Sequence, residues 1–280
     1  MSVSPVGSIA PSIPSITKET SIKDPLANVL KKLVLNAIKE TGISFWRPLA
    51  DRIVEYVCCS SHFFDDTYWE NLIGKVPPAP PLPEDFNKIW DGPCPFYPEK
   101  TLSQTHLLVY IPKTVNDNPL TLKHFLTLTQ FSFLKQTNHF IPLPGYRIKD
   151  TLIPTLGDKP IKRSHWVLIT KDILRNSKDR SIATHRLMVT KEGQLDYQMP
   201  SLLKAVICSQ THLLACSRPL FSVNDSLPIY TRCQESTEEE MVLVGNDESS
   251  LLIIYQIDET TLSDVGVAAM KTLSIDPYRV

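Results

Sequence analysis

The hydrophobic positions of residues 200–217 recur at spacings of three and four residues, which is the period of an α-helix. Pro200 suits the first turn of a helix, and Pro219 ends the pattern. Lys204 and Thr211 mark a narrow polar edge, so the segment predicts a helix that is mostly buried. Its apolar positions are Leu202, Leu203, Ala205, Val206, Ile207, Cys208, Leu213, Leu214, Ala215 and Cys216.

Short segments rich in β-branched and aromatic residues lie on both sides of this helix and predict β-strands. They are residues 105–111, 165–170, 229–234, 241–244 and 251–257. Residues 120–136 and 181–192 have helical spacing instead, and Ser181 suits the N-cap of the second segment. The pattern predicts an α+β fold, with a mixed sheet of about five strands and helices packed on it. Strand order stays open, because several topologies fit these elements.

The chain before the α+β domain, which we assign to residues 101–280, changes composition twice. Residues 1–23 are rich in Ser, Pro and Ile and almost free of charge, which predicts a disordered tail. Residues 24–75 hold three amphipathic segments, the third capped by Thr67, and predict a small helical subdomain. Residues 76–100 then form a proline-rich linker between the two.

The linker holds eight prolines, and its first part, PPAPPLP, predicts a polyproline II helix with three residues per turn. Lys75, Pro78 and Pro81 fit the basic-x-x-Pro-x-x-Pro pattern that SH3 domains bind. Two interpretations of this stretch stay open. It is either a stiff spacer that packs on the main domain or a ligand that a protein partner binds through those three residues.

The composition argues against several classes of protein. A net charge of −1 over 280 residues gives no electrostatic case for a nucleic-acid partner. No segment approaches the roughly 20 apolar residues that a membrane span needs. The N-terminus also lacks the apolar core of a cleaved secretory signal. We therefore expect a cytoplasmic protein, or one exported into a host cytosol with its tail as an uncleaved export tag.

Six cysteines are scattered through the chain, several of them inside predicted helices and strands, which is typical of free thiols in a reducing compartment. Cys59 and His62 form a Cys-x-x-His pair, but a second pair at matching spacing is missing. The sequence therefore predicts no metal site. Glycine-rich nucleotide motifs and the usual hydrolase motifs are missing as well, so no cofactor is predicted.

Cys233 is the candidate nucleophile of an enzymatic interpretation. It lies at the end of a predicted strand next to Arg232, and a neighbouring guanidinium would favour the thiolate. His106 and His165 lie at the edges of predicted strands and are candidate bases, which Asp172 could orient. Against this, strand alternation places neighbouring side chains on opposite faces, and a small buried thiol explains Cys233 more simply.

A basic stretch between the strands offers a third kind of candidate site. Arg175, Lys178 and Arg180 lie in the segment RNSKDRS, which leads into the predicted helix at Ser181. Helix N-termini favour anions, so these residues could bind phosphate. The glycine spacing of a P-loop is missing, and a solvated surface loop is the simpler interpretation.

Several stretches, taken in order, resemble a group of uncharacterised proteins from chlamydia-like bacteria that live inside amoebae. The resemblance covers residues 76–273 and rests on PPAPPLP, CPFYPEK, THLLVYIPKTVNDNPLTL, SHWVLITKDILRNSKDRS, YTRCQE and DVGVAAMK. The chain departs from the group's glycine-rich pattern after YTRCQE, so a site shaped by that segment would be altered here. The resemblance implies no activity. It implies an intracellular bacterium exposed to a eukaryotic cytosol, which favours a host-directed protein.

Together these patterns favour a non-enzymatic protein-interaction module, with an effector role in a host cell as its extension. The missing catalytic motifs, the tail and the proline tract support this hypothesis, and the partner is a protein of unspecified identity. The alternative is a cysteine-dependent hydrolase or transferase with Cys233 as its nucleophile.

Overall fold

The computed structural model describes most of the chain after residue 62. The described residues are 63–136, 147–148, 156–192, 196–216, 219–221, 229–237, 240–246, 251–257 and 264–273. The chain divides into two compact units, residues 1–53 and 54–280, and all described residues belong to the second. The predicted tail, the first two predicted helices and the pair Cys59 and His62 lie outside the described residues.

The first of two five-stranded sheets has the strand order β1-β2-β6-β12-β7. Its strands are β1 (Phe63–Phe64), β2 (His106–Ile111), β6 (His165–Thr170), β7 (Tyr197–Gln198) and β12 (Met270–Leu273). The two long strands β2 and β6 are antiparallel and fully buried, with His106 opposite Thr170 and Ile111 opposite His165. Only β1 joins in parallel, so the sheet is mixed.

The second sheet has the order β11-β8-β9-β10-β5 and is also mixed. Its strands are β5 (Arg147–Ile148), β8 (Tyr230–Arg232), β9 (Glu240–Asn246), β10 (Leu251–Ile257) and β11 (Val265–Gly266). A separate hairpin joins β3 (Thr114–Val115) to β4 (Asn118–Pro119). Its turn residues Asn116 and Asp117 have φ of 49° and 63°, and a two-residue turn with positive φ at both centres matches the twist of the strands.

The helices connect and cover these strands. They are α1 (Asp66–Leu72), α2 (Phe86–Trp90), α3 (Leu102–Thr105), α4 (Leu122–Gln136), α5 (Ile182–Glu192) and α6 (Leu202–Cys216). The caps follow local chemistry: Asp65 accepts from the N–H of Tyr68 at 3.0 Å, and Ser181 Oγ accepts from the N–H of Thr184 at 3.2 Å. The predicted cap Ser181 is confirmed, whereas the cap of α1 is Asp65, two residues before the predicted cap Thr67.

The helix α6 contacts β2 of the first sheet and β9 and β10 of the second. Its side chains are mostly buried, as the narrow polar edge predicted, and they join one hydrophobic core with residues of both sheets. The α+β fold with a five-stranded mixed sheet is confirmed. The single sheet is not: the five predicted strands are divided, two in the first sheet and three in the second.

The proline-rich linker packs on the first sheet's side of this core. Val76, Phe86, Cys94 and Tyr97 are buried, and Phe86 stacks on Trp90 with ring centroids 5.7 Å apart. A linker that buries aromatic and aliphatic side chains is part of the folded domain rather than a free spacer. Residues 74–83 form neither helix nor strand and run along the surface of the domain.

Candidate protein-interaction site

The three residues of the basic-x-x-Pro-x-x-Pro pattern are all exposed, and we call residues 75–81 the proline strip. Lys75, Pro78 and Pro81 face solvent, whereas the four residues between them are buried or half-buried. Exposure therefore recurs every third residue. This is the period of polyproline II, in which side chains three residues apart lie along one edge.

The N-terminal end of the proline strip is fixed by the β3–β4 hairpin. The N–H of Lys75 donates to Asn116 Oδ1 at 2.9 Å, and the carbonyl of Lys75 accepts from the N–H of Asn116 at 2.8 Å. Asn116 occupies a left-handed backbone position, which Asn tolerates better than most residues. Lys75 is thus held through its backbone, while its side chain stays exposed.

Two aromatic side chains of the first sheet fix the middle of the proline strip. Tyr110 Oη donates to the carbonyl of Pro77 at 2.8 Å, and Trp166 Nε1 donates to the carbonyl of Pro80 at 2.7 Å. The two carbonyls are three residues apart, one turn of polyproline II, so both point toward the sheet. Ala79 contributes its N–H to Asp66 Oδ2 at 3.0 Å.

The aromatic donors are themselves held by their neighbours. The rings of Tyr110 and Trp166 lie 5.5 Å apart, and Phe63 packs on Trp166 at 5.0 Å. Trp69 Nε1 donates to the carbonyl of Tyr110 at 2.7 Å. The Tyr110 hydroxyl is protonated at neutral pH and can donate, and burial raises its pKa further above the ordinary value. The aromatic residues under the proline strip are therefore themselves held by ring packing and hydrogen bonds.

Cys233 follows β8 and is fully buried in the main hydrophobic core. Its N–H donates to the carbonyl of Val242 at 2.9 Å. Burial, and then the carboxylate of Glu235, raise the pKa of the Cys233 thiol well above its ordinary value. Arg232 does not offset this, because its guanidinium lies against Met241 Sδ at 2.8 Å and the carbonyl of Arg180 at 3.4 Å. The thiolate that a nucleophile needs is disfavoured.

The two candidate bases lie far apart. His106 and His165 occupy opposite ends of the paired strands β2 and β6, and five strand residues separate them by roughly 17 Å. Burial lowers the pKa of His106 to about 3 and that of His165 to about 4. The main-chain carbonyl of Asp172 accepts from Thr170 Oγ1 at 2.7 Å. In the described part of the chain, no hydrogen bond joins the Asp172 carboxylate to either histidine. The structure does not bring these candidates together.

The basic stretch is divided among separate contacts. Arg175 Nη2 pairs with Glu99 Oε1 at 2.8 Å and lies 5.0 Å above the ring of Tyr97. Arg180 Nε donates to the carbonyl of Asn176 at 3.3 Å, and Lys178 is exposed. The first-turn N–H of Thr184 is already bonded to Ser181. The phosphate site stays a prediction. These contacts do not gather the three basic residues around one point where an anion could bind.

The described residues hold neither a metal cluster nor a membrane-spanning helix. Among them, no three His, Cys, Asp or Glu side chains lie close enough to hold a metal ion together. No helix in that part of the chain is both long and apolar enough to cross a membrane. Four cysteines there, Cys94, Cys208, Cys216 and Cys233, are free thiols.

Sequence reasoning found the outward residues of the proline strip but not the residues that fix it. Tyr110, Trp166 and Asn116 are separated in sequence from their partners in the strip by 33, 86 and 41 residues. A hydrogen-bond donor gives no local pattern that identifies so distant an acceptor. Only the NDN sequence of the β3–β4 turn was a local signal, since Asn and Asp favour such turns.

Comparison of the chain with family models, with curated proteins and with solved structures finds no match. The geometry of the proline strip is therefore the evidence on which a function can be argued.

Proposed function

We propose that the protein is a protein-interaction module whose proline strip is the ligand of a partner domain. One observation supports this most directly: Lys75, Pro78 and Pro81 are the exposed residues of a segment whose backbone is otherwise bonded to the domain. Side chains with this spacing and exposure suit an SH3-type groove, in which aromatic pockets take the prolines and an acidic group takes the lysine.

The second part of the proposal concerns the place of action. Because residues 76–273 resemble proteins of bacteria that live inside amoebae, we propose a partner in the host cytosol. SH3 domains belong to eukaryotic signalling proteins, which fits a host-directed ligand. Export is tested by fusing residues 1–23 to a reporter enzyme that is active only in the host cytosol. A reporter that stays in the bacterium would restrict the protein to the bacterial cytoplasm.

The first experiment measures binding of the purified chain to a panel of immobilised SH3 domains from an amoebal host. The test variant combines Lys75→Ala, Pro78→Ala and Pro81→Ala, which removes the outward edge. The control combines Lys88→Ala, Pro98→Ala and Pro160→Ala, which removes one exposed lysine and two exposed prolines elsewhere. We expect at least one SH3 domain to retain the intact chain and the control, and to lose the test variant.

Two outcomes would reject this function. Retention of all three proteins to the same extent would move the interaction to another surface. Failure of every SH3 domain to retain the intact chain would leave the proline strip without the partner class that its spacing suggests. Both outcomes are readable, because the substituted side chains are exposed and folding should be unaffected.

No observation favours the alternative of a cysteine-dependent hydrolase or transferase. It would need Cys233 to be accessible, ionised and close to a base, and its burial and raised thiol pKa argue against the first two requirements. That alternative stays a hypothesis, and thiol labelling tests it below.

A further inference from the structure

The proline strip has one exposed edge and two edges that are buried or half-buried. Hydrogen bonds from Tyr110 and Trp166 hold the carbonyls of Pro77 and Pro80 against the sheet. Val76 is buried, and Ala79 is half-buried with its N–H bonded to Asp66. The remaining edge consists of the side chains that the domain does not contact through hydrogen bonds or burial.

The residues that fix the proline strip are separate from the residues that a partner would touch. Tyr110 is fully buried and Trp166 nearly so. Asn116 bonds the backbone of Lys75 and the carbonyl of Ile73, and its own carbonyl accepts from Asn118 Nδ2 at 3.0 Å, so these bonds do not involve the side chains of the outward edge. This separation makes it possible to change how firmly the strip is held without changing any atom of the outward edge.

We infer that the fold presents the proline strip as a preorganised, single-edge ligand, with Tyr110, Trp166 and Asn116 as its positioning residues. The inference rests on the proposed function and specifies its partner. Polyproline II rises about 3.1 Å per residue, so residues three apart along one edge are separated by roughly 9 Å. The partner therefore has two apolar pockets about that far apart and an acidic group a similar distance beyond the first.

Preorganisation changes affinity in a defined direction. A free peptide of the same sequence loses backbone freedom when it binds, whereas the folded chain has lost that freedom already. The folded chain should then bind more tightly than the peptide. The opposite holds if the partner needs the edge that faces the sheet, because Tyr110 and Trp166 would then compete with the partner for the carbonyls of Pro77 and Pro80.

The test compares dissociation constants for one SH3 domain that retains the intact chain. The ligands are the intact chain, a synthetic peptide of residues 74–84, and the variants Tyr110→Phe and Asn116→Gly. Tyr110→Phe removes one buried hydroxyl, and Asn116→Gly removes the side chain that holds Lys75 but keeps a residue that tolerates positive φ. The matched control is Tyr97→Phe, which removes a hydroxyl bonded to the carbonyl of Ile173 and makes no bond to the proline strip.

We expect the peptide to bind about tenfold more weakly than the intact chain, and both variants to fall several-fold toward the peptide. Tyr97→Phe should bind like the intact chain, which separates positioning from a general loss of stability. Measurements are made well below the melting temperature of each variant, so that every ligand is folded.

Two results overturn the inference while leaving the proposed function in place. Equal or tighter binding of the peptide would show that the domain masks the strip instead of presenting it. Unchanged binding of both Tyr110→Phe and Asn116→Gly would show that neither residue positions it. If no SH3 domain binds the chain or the peptide, the proposed function and this inference both fail.

Discussion

The proline strip and the segment around Cys233 have similar backbone hydrogen bonding but opposite side-chain exposure. Both are short segments without regular structure whose N–H and carbonyl groups are bonded to distant parts of the domain. In the strip, the lysine and two prolines face solvent. At Cys233, the thiol is 0% exposed and lies inside the main core. One segment exposes side chains to solvent, and the other buries its thiol in the core.

The difference shows what a motif in a sequence needs before it can act. A Lys-x-x-Pro-x-x-Pro pattern needs only exposure and the right period, and the fold supplies both. A nucleophilic cysteine needs access, a lowered thiol pKa and a base within hydrogen-bond reach, and here the surroundings of Cys233 oppose the first two. Residue type alone does not distinguish the two candidate sites. The exposure and pKa of their side chains do.

The largest expected effect is on the chemistry of Cys233. We expect alkylation of Cys233 in the native protein to be slower than after unfolding by a factor on the order of a hundred or more, because the thiol reacts only after local opening. Peptide mapping by mass spectrometry after timed labelling at pH 8 measures the rate. The half-buried Cys216 serves as the internal comparison and should label faster.

The same labelling experiment can contradict the contrast between an exposed proline strip and a buried Cys233. If Cys233 reacts in the native protein as fast as Cys216, its burial is not maintained in solution. The enzymatic alternative would then return as the leading hypothesis.

The next largest effect is on acid stability, through histidines buried in the core. His106 is fully buried beside the rings of Phe96 and Tyr197, and burial lowers its pKa to about 3. The unfolded chain has an ordinary histidine pKa near 6.5, so below that pH it binds a proton that the folded chain does not. Stability is complete above about pH 6.5 and falls by about 1.4 kcal/mol per pH unit below it.

His106→Phe should remove this contribution, because an aromatic ring is kept and no group there titrates. We expect the free energy of unfolding of the variant to fall by about 2 kcal/mol less than that of the intact chain between pH 7 and pH 5. Urea denaturation at a series of pH values measures it. His165 and His185, each with a pKa lowered to about 4 by burial, should keep part of the slope. An unchanged slope would contradict a neutral buried His106.

The longer elements of the described fold could be predicted from periodicity, but the two-residue strands and the arrangement of the elements could not. The strands β2 and β6 and the helices α5 and α6 lie where hydrophobic spacing placed them. The division into two sheets depends on pairings such as Met270 with Ile169, across about a hundred residues of chain. The short strand β12 has no alternation of buried and exposed side chains, since only its first residue is fully buried, so its pattern did not predict a strand.

The candidate site shows the same limit. The spacing of Lys75, Pro78 and Pro81 is a local property, so the sequence identified the outward edge. The positions of Tyr110 and Trp166 under it follow from sheet pairing and were not predictable. The same pairing places His106 and His165, the two alternative candidate bases, at opposite ends of β2 and β6, which the pattern of neither strand could predict.

The smallest expected effects are on the free energy of unfolding. They distinguish the side of the proline strip that faces the sheet from the side that faces solvent. Tyr110→Phe leaves the carbonyl of Pro77 without its donor and should lower the free energy of unfolding by about 1 kcal/mol. Pro81→Ala changes an exposed side chain and should stay within about 0.5 kcal/mol of the intact chain. Urea denaturation of both variants at pH 7 checks the pair. A larger loss for Pro81→Ala than for Tyr110→Phe would mean that the outward edge is packed against the protein, which its proposed role as a ligand does not allow.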